Sequence, residues 1–364
     1  MKKSSESGSR PNETSRVLRI SPLGKLDERK LKPDANPFKK APNADFFDIG
    51  TLVWSKVLKN GTLAAEGSSD PYLRAFPLAA AKIAGSSETL PTAEDLVTAY
   101  FSLNAACRDF ETRVPGWRLS LSMGLLSDKN GFDANEVDLS DAYGLESDFE
   151  SDTFFRSVWS EISKLPEIET YRTVVFDFFW PAGLYQILPL AKKFKSMGKK
   201  VVLNFTRANE QSDFTVWIEA FKKNPEIFER LDAVVVYEDY GHAMDEILRA
   251  FENGEELGSD IENVVRMTEN GVEFKKPGAV DEDELFRRFE KYFHSSSKDR
   301  KIAGRKISTV RLFPYKCYWS SCFFCTINST HLYAYKKRAS AYVDSCLDYV
   351  EKNGIGYLYL ADEA

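Results

Sequence analysis

Three cysteines stand close together near the C-terminal end, in Lys316-Cys317-Tyr318-Trp319-Ser320-Ser321-Cys322-Phe323-Phe324-Cys325. Thiolates this near on one loop can turn inward onto a single zinc ion or a single iron–sulfur cluster. Three ligands leave one coordination position for something else. A closed structural zinc site takes four protein ligands, and the nearby completers are His331 and Cys346. Cys346 shares an apolar helical face with Val343, Leu347 and Val350, which reads as core rather than as ligand. His331 keeps a structural zinc site open as an alternative.

The elements around the triad are legible. Residues 307–313 (Ile-Ser-Thr-Val-Arg-Leu-Phe) alternate and are rich in β-branched side chains, which predicts a strand running into the cysteine loop. An amphipathic helix is expected over residues 340–352, stopped by Asn353-Gly354, and a second strand over residues 357–360. Strand, loop, helix and strand in this order make one unit of a parallel α/β barrel, where chemistry gathers at the ends of strands.

This segment resembles the radical S-adenosylmethionine enzymes, whose signature is three cysteines on the loop after the first barrel strand. Cys322-Phe323-Phe324-Cys325 matches the second half of that signature. The gap from Cys317 to Cys322 holds four residues where three are usual, a spacing similar to that of members carrying an N-terminal cobalamin-binding-like domain. The resemblance implies that Cys317, Cys322 and Cys325 hold three irons of a [4Fe–4S] cluster, whose fourth iron chelates S-adenosylmethionine. It further implies Phe324 beside the adenine and Asp362 or Glu363 near the methionyl amine. The implied activity is reductive cleavage of S-adenosylmethionine to a 5′-deoxyadenosyl radical, chemistry that no amino-acid side chain performs unaided. A flavodoxin- or ferredoxin-type electron donor is the implied partner, and a peptide or small metabolite the implied substrate. Tyr315, Tyr318, Trp319, Phe323 and Phe324 would limit solvent access to the cysteines. Thirty-nine residues follow Cys325, so the chain is expected to stop early in the barrel. The competing expectation is a non-catalytic binding or assembly protein with structural zinc at the cysteine loop.

The middle of the chain alternates strand and helix. Strands are expected over residues 173–178, 200–205 and 232–238, and helices over residues 183–197, 214–223 and 242–253, with Gly198 ending the first helix. Strand–helix–strand repeats predict a doubly wound, Rossmann-like parallel sheet over residues 115–258, with its crevice at the strand ends. Asp177, Trp180, Asn204, Thr206, Tyr237 and Glu238 fall there. The stretch also resembles the cobalamin-binding-like domain found ahead of some radical S-adenosylmethionine barrels. The Asp-x-His-x-x-Gly loop that offers an axial imidazole is absent, and His242, His294 and His331 stand in no such context. Histidine-ligated cobalamin is therefore not expected; a corrin held by shape and backbone contacts stays open. No Gly-x-Gly-x-x-Gly follows the first of these strands, which argues against a dinucleotide.

The remaining boundaries follow from composition. Residues 1–42 are rich in Lys, Ser, Pro and Asn and are expected to form a flexible leader without chemistry. Residues 43–114 read as mainly helical. A helix over residues 92–110 is expected to start with Thr92 as cap and Asp95 at the capping-box position, and to bury Leu96, Tyr100, Leu103 and Cys107. Residues 259–303 read as a linker with a hairpin at residues 263–274 and a helix, and residues 304–364 as the start of the barrel. The net charge of −6 argues against a general nucleic-acid binder. Five cysteines, an odd number with three clustered, do not make a secreted disulfide framework and point to a reducing cytoplasm. No apolar run is long enough for a membrane span, and no apolar stretch follows the Met-Lys-Lys start as in a signal peptide.

Overall fold

The computed structural model describes residues 17–22, 36–41, 44–66, 68–83, 92–120, 124–127, 152–178, 183–205, 214–236, 242–275, 301–302, 305–310, 344, 347–348 and 350–360. In chain order the elements are β1 (Val17–Ser21), β2 (Phe38–Lys39), β3 (Asp45–Asp48), α1 (Ile49–Ala65), α2 (Pro71–Ile83), α3 (Ala93–Arg113), β4 (Trp117–Ser120) and β5 (Gly124–Ser127). They continue with α4 (Thr153–Ile162), β6 (Thr173–Phe178), α5 (Gly183–Ser196), β7 (Lys200–Phe205), α6 (Phe214–Lys223), β8 (Ala233–Val236) and α7 (His242–Asn253). The last are β9 (Val264–Thr268), β10 (Gly271–Phe274), β11 (Lys301–Ile302), β12 (Arg305–Val310) and β13 (Ile355–Leu360).

Apolar runs such as Val174-Val175-Phe176 and Val201-Val202-Leu203 suit strands buried on both faces. They lie in the middle of an eight-stranded sheet ordered β10-β9-β8-β7-β6-β1-β3-β2. Five neighbours, β3, β1, β6, β7 and β8, pair in parallel. The outer strands β2, β9 and β10 pair antiparallel. Counted in chain order, the five parallel strands lie 2-1-3-4-5, so the direction of travel across the sheet reverses between β1 and β6. The fold is thus α/β, with a mostly parallel sheet and helices packed against it.

Among the described residues, the buried apolar side chains on the two faces of the sheet form clusters of unequal size. Leu18, Ile20, Val174, Phe176, Val201, Leu203 and Phe205 belong to a large core with Trp54, Cys107, Phe155, Phe194 and Trp217 from the helices. Val17, Val175, Val202 and Val235 belong to a smaller cluster, covered by Ala243, Met244 and Ile247 of α7. Caps close the helices of the large side. Thr92 accepts from the Asp95 amide while the Asp95 side chain accepts from the Thr92 amide, the expected capping box. Asp152 accepts from Phe154 N and Phe155 N at the start of α4, and its other oxygen accepts from Trp117 Nε1 at 2.8 Å.

Two expectations change. The segment expected to be a leader supplies β1, a central strand of the sheet. Val17, Leu18 and Ile20 are buried there between β3 and β6, so a short apolar run outweighs the polar composition around it. On α3, Leu103 and Cys107 are buried as expected, whereas Leu96 and Tyr100 are 53% and 57% exposed. The helix buries a face rich in small residues, Ala99, Ser102, Ala105 and Ala106, and turns Leu96 and Tyr100 outward.

The expected hairpin is β9–β10, and it extends the edge of the large sheet rather than standing apart from it. Near the C-terminal end β12 pairs parallel with β13, and β11 pairs antiparallel with β12. Asp344, Leu347, Asp348 and residues 350–352 are helical. The stop at Asn353-Gly354 is present, with Gly354 in the left-handed region at φ 59°.

Candidate functional site

Alternation along the strands puts Arg19, Asp177 and Asn204 on the face of the smaller cluster, opposite Leu18, Phe176 and Leu203. Asp177 and Asn204 are register partners on β6 and β7. Both stand one residue before the C-terminal end of their strands. Asn204 Nδ2 donates to Asp177 Oδ1 at 2.8 Å. Arg19, reaching across from β1, donates from Nε to Asp177 Oδ2 at 3.0 Å and from a terminal nitrogen to Asp177 Oδ1. The result is a forked guanidinium–carboxylate pair, the strong geometry for these groups.

This pair joins β1 to β6, the two strands between which the sheet reverses. Ligands of open α/β sheets bind outside the carboxyl ends of strands at such a reversal. The Arg19 and Asp177 side chains are 29% and 17% exposed, while Asn204 is only 2% exposed. Asn204 Oδ1 is buried without a hydrogen-bond donor among the described residues. Phe46 of β3 is the register partner of Arg19, and its ring lies 5.8 Å from the Arg19 guanidinium carbon.

Of the residues expected in the crevice, Asp177 and Asn204 are brought together. Trp180, Thr206, Tyr237 and Glu238 lie outside the described residues. Cys317, Cys322, Cys325, Phe324, Asp362 and Glu363 also lie outside them, as do His331 and Cys346. Among the described residues no three His, Cys, Asp or Glu side chains form a group that could hold a metal ion. The missed residue is Arg19, hidden by its place in the presumed leader. Its available signal was the run Val17-Leu18-Arg19-Ile20, apolar enough for a short buried strand.

Two other groups are perturbed by burial. The Cys107 thiol is pushed up to about 12, first by desolvation and then by the nearby Glu111 carboxylate. It is an inert core thiol. The Lys56 ammonium is lowered, chiefly by desolvation and against the pull of Glu161. It donates to Ser157 Oγ at 2.6 Å and ties α1 to α4.

Comparison with protein-family models, with curated proteins and with solved structures gave no match. No helix among the described residues is long and apolar enough to cross a membrane.

Proposed function

We propose that this chain carries the cluster-binding segment of a radical S-adenosylmethionine enzyme behind a Rossmann-like domain. The observation that supports it most is the parallel pairing of β12 with β13. Parallel neighbours need a crossover connection, and the Cys317–Cys322–Cys325 run falls in that crossover, beginning just past the C-terminal end of β12. This is the position where α/β barrels gather their chemistry. The 2-1-3-4-5 order of the five parallel strands is that of one common doubly wound sheet, which supports the Rossmann-like part.

The donor set fits the cluster. Three thiolates are soft ligands suited to iron–sulfur binding, and their number leaves one iron open. When bound, a [4Fe–4S] cluster supplies the electron that cleaves the sulfonium of S-adenosylmethionine. The chain's own part is to hold and to shelter. Cys317, Cys322 and Cys325 would act as thiolate ligands, Phe324 would pack on the adenine, and Asp362 or Glu363 would accept from the methionyl amine. Tyr318, Trp319 and Phe323 would keep water from the sulfurs. A reducing cytoplasm, an electron-donor protein and a peptide or small-metabolite substrate complete this reading. A corrin on the large sheet would be held without an axial histidine.

Anaerobic reconstitution with iron and sulfide, beside a zinc-loaded control, tests it. The expected result is about four irons and four sulfides per chain, lost in Cys317→Ala, Cys322→Ala or Cys325→Ala, with a reduced spectrum that shifts on adding S-adenosylmethionine. One tightly held zinc and no cluster would replace it with the structural-zinc reading.

A further inference from the structure

We infer that the outer face of α3 docks on the same face of a second copy of this chain, the two helices antiparallel about a two-fold axis at Phe101. Leu96, Val97, Tyr100 and Phe101 are all exposed on the first half of α3. Tyr72 of α2 is exposed beside them, its ring 5.0 Å from that of Phe101, which lies edge-on to Tyr100 at 5.6 Å. Exposed apolar side chains scattered singly need no explanation, but a contiguous cluster of this kind marks an interaction surface. The helix spends its small residues Ala99, Ser102, Ala105 and Ala106 on the inward side, so the large ones are what it offers outward.

Charge selects the occupant. Glu94, Val97, Phe101, Asn104 and Arg108 recur in steps of three, four, three and four, the spacing of a coiled-coil seam. Glu94 and Arg108 are both exposed and stand seven residues to either side of Phe101. The other charged residues of α3 are engaged within the chain: Asp95 in the capping box, Asp109 with Arg113, and Glu111 with the Leu119 amide. A copy of the seam reversed about Phe101 sets Phe101 on Phe101 and Glu94 on Arg108 at both ends. A parallel copy sets like charges together at both ends. The face is thus complementary to itself in the reversed sense, the condition for an isologous two-fold contact. An unrelated apolar partner would account for the aromatic cluster but not for opposite charges at equal distances from its centre. From Glu94 to Arg108 the seam rises about 21 Å. One helix pair of that length falls short of the roughly 800 Å² per partner of a standard stable interface, so the dimer is weak, with a dissociation constant on the order of 10–100 μM. This inference depends on neither the cysteine loop nor the Arg19–Asp177–Asn204 cluster.

The test is sedimentation velocity of the full chain over a concentration series reaching about tenfold above that constant, in reductant so that thiol cross-links do not contribute. Circular dichroism establishes that each variant is folded. A reversible monomer–dimer equilibrium is expected. Phe101→Glu, which sets two carboxylates on the axis, should be monomeric throughout. Glu94→Lys and Arg108→Glu each place like charges at both ends of the seam and should weaken the dimer about tenfold or more. The double variant Glu94→Lys with Arg108→Glu exchanges the charges and should return to within about threefold of the original affinity. Glu94 and Arg108 are exposed, so the charge exchange decides the matter even where Phe101→Glu does not fold. A chain that is monomeric at every concentration, a dimer that survives in folded Phe101→Glu, or a double variant no tighter than the single ones would overturn the inference. A monomeric chain that binds phosphatidylcholine vesicles through Phe101 would also overturn it and give the face to a lipid surface.

Discussion

The two faces of the central sheet solve different problems with the same strands. On β6, Val174 and Phe176 enter the large core beneath the helices, while Asp177, next in the chain, faces the other way into a polar cluster. On β7, Leu203 and Phe205 do the first and Asn204 the second. One face is filled with Trp, Phe and Leu side chains. The other holds a short apolar floor of Val17, Val175, Val202 and Val235 and then, toward the strand ends, Arg19, Asp177 and Asn204. A sheet with one well-filled side can keep its fold while polar groups occupy the other, and that separation can be tested residue by residue.

The widest gap between the faces should come from Phe176→Ala. Phe176 is fully buried and packs 6.1 Å from the Phe194 ring. Truncation leaves a large void, and the expected loss is about 3–5 kcal/mol in chemical denaturation. A loss below about 1 kcal/mol would mean that this side repacks freely, and the contrast would fail.

Polar groups on the face of the large core should also cost more than the partly exposed Arg19–Asp177 pair on the other. Tyr171, itself buried, donates its hydroxyl to Asp45 Oδ2 at 2.6 Å, and Asp45 is 4% exposed. Tyr171→Phe leaves a buried carboxylate oxygen short of a donor, an expected loss of about 1–3 kcal/mol. A neutral result in the same denaturation assay would show that water reaches Asp45 and that the filled face is less closed than its packing indicates.

Cys107 probes the filled face by pH instead of volume. Burial raises its folded-state pKa from 9.0 to about 12. Below pH 9 both folded and unfolded thiols are protonated, and the group does not make stability depend on pH. Above it the unfolded chain loses the proton first, so stability falls between about pH 9 and pH 12. Cys107→Ala should flatten that part of the pH–stability curve, by up to about 1.4 kcal/mol per pH unit. An unchanged slope would place Cys107 in contact with solvent.

The same contrast sets what the sequence could show. Filled-face elements were readable because apolar runs, caps and stops are local. The strands around Val174 and Val201, the Gly198 helix end and the Thr92–Asp95 box all stand as expected, as does the Gly354 helix end away from this sheet. Asp177 and Asn204 were readable as crevice residues because each precedes the end of a recognisable strand. Arg19 was not, since its partner Asp177 is 158 residues away and nothing local pairs a five-residue strand with β6. The outward turn of Leu96 and Tyr100 was hidden for a related reason. Helical spacing identifies stripes, but α3 packs through its small residues, and the choice between stripes depends on its neighbours. The cysteine triad is an expectation drawn from its spacing and its surroundings in the sequence, and its residues lie outside those described.

The smallest effect is expected from Asp177→Asn, and it separates the faces most sharply. The substitution preserves shape, and the new amide oxygen can still accept from Arg19. The charge attraction is lost, but the Arg19 and Asp177 side chains are 29% and 17% exposed, and ion pairs that reach solvent contribute about 1 kcal/mol or less. Denaturation midpoints should therefore move less than in Tyr171→Phe. The small difference should also shrink in 1 M salt, where screening acts over about 3 Å. Salt should not rescue Phe176→Ala or Tyr171→Phe, because neither loss is a screened charge interaction. If Asp177→Asn instead cost as much as Tyr171→Phe and ignored salt, the Arg19–Asp177–Asn204 cluster would be a structural clasp across β1, β6 and β7. A small, salt-sensitive loss would leave that cluster dispensable for the fold.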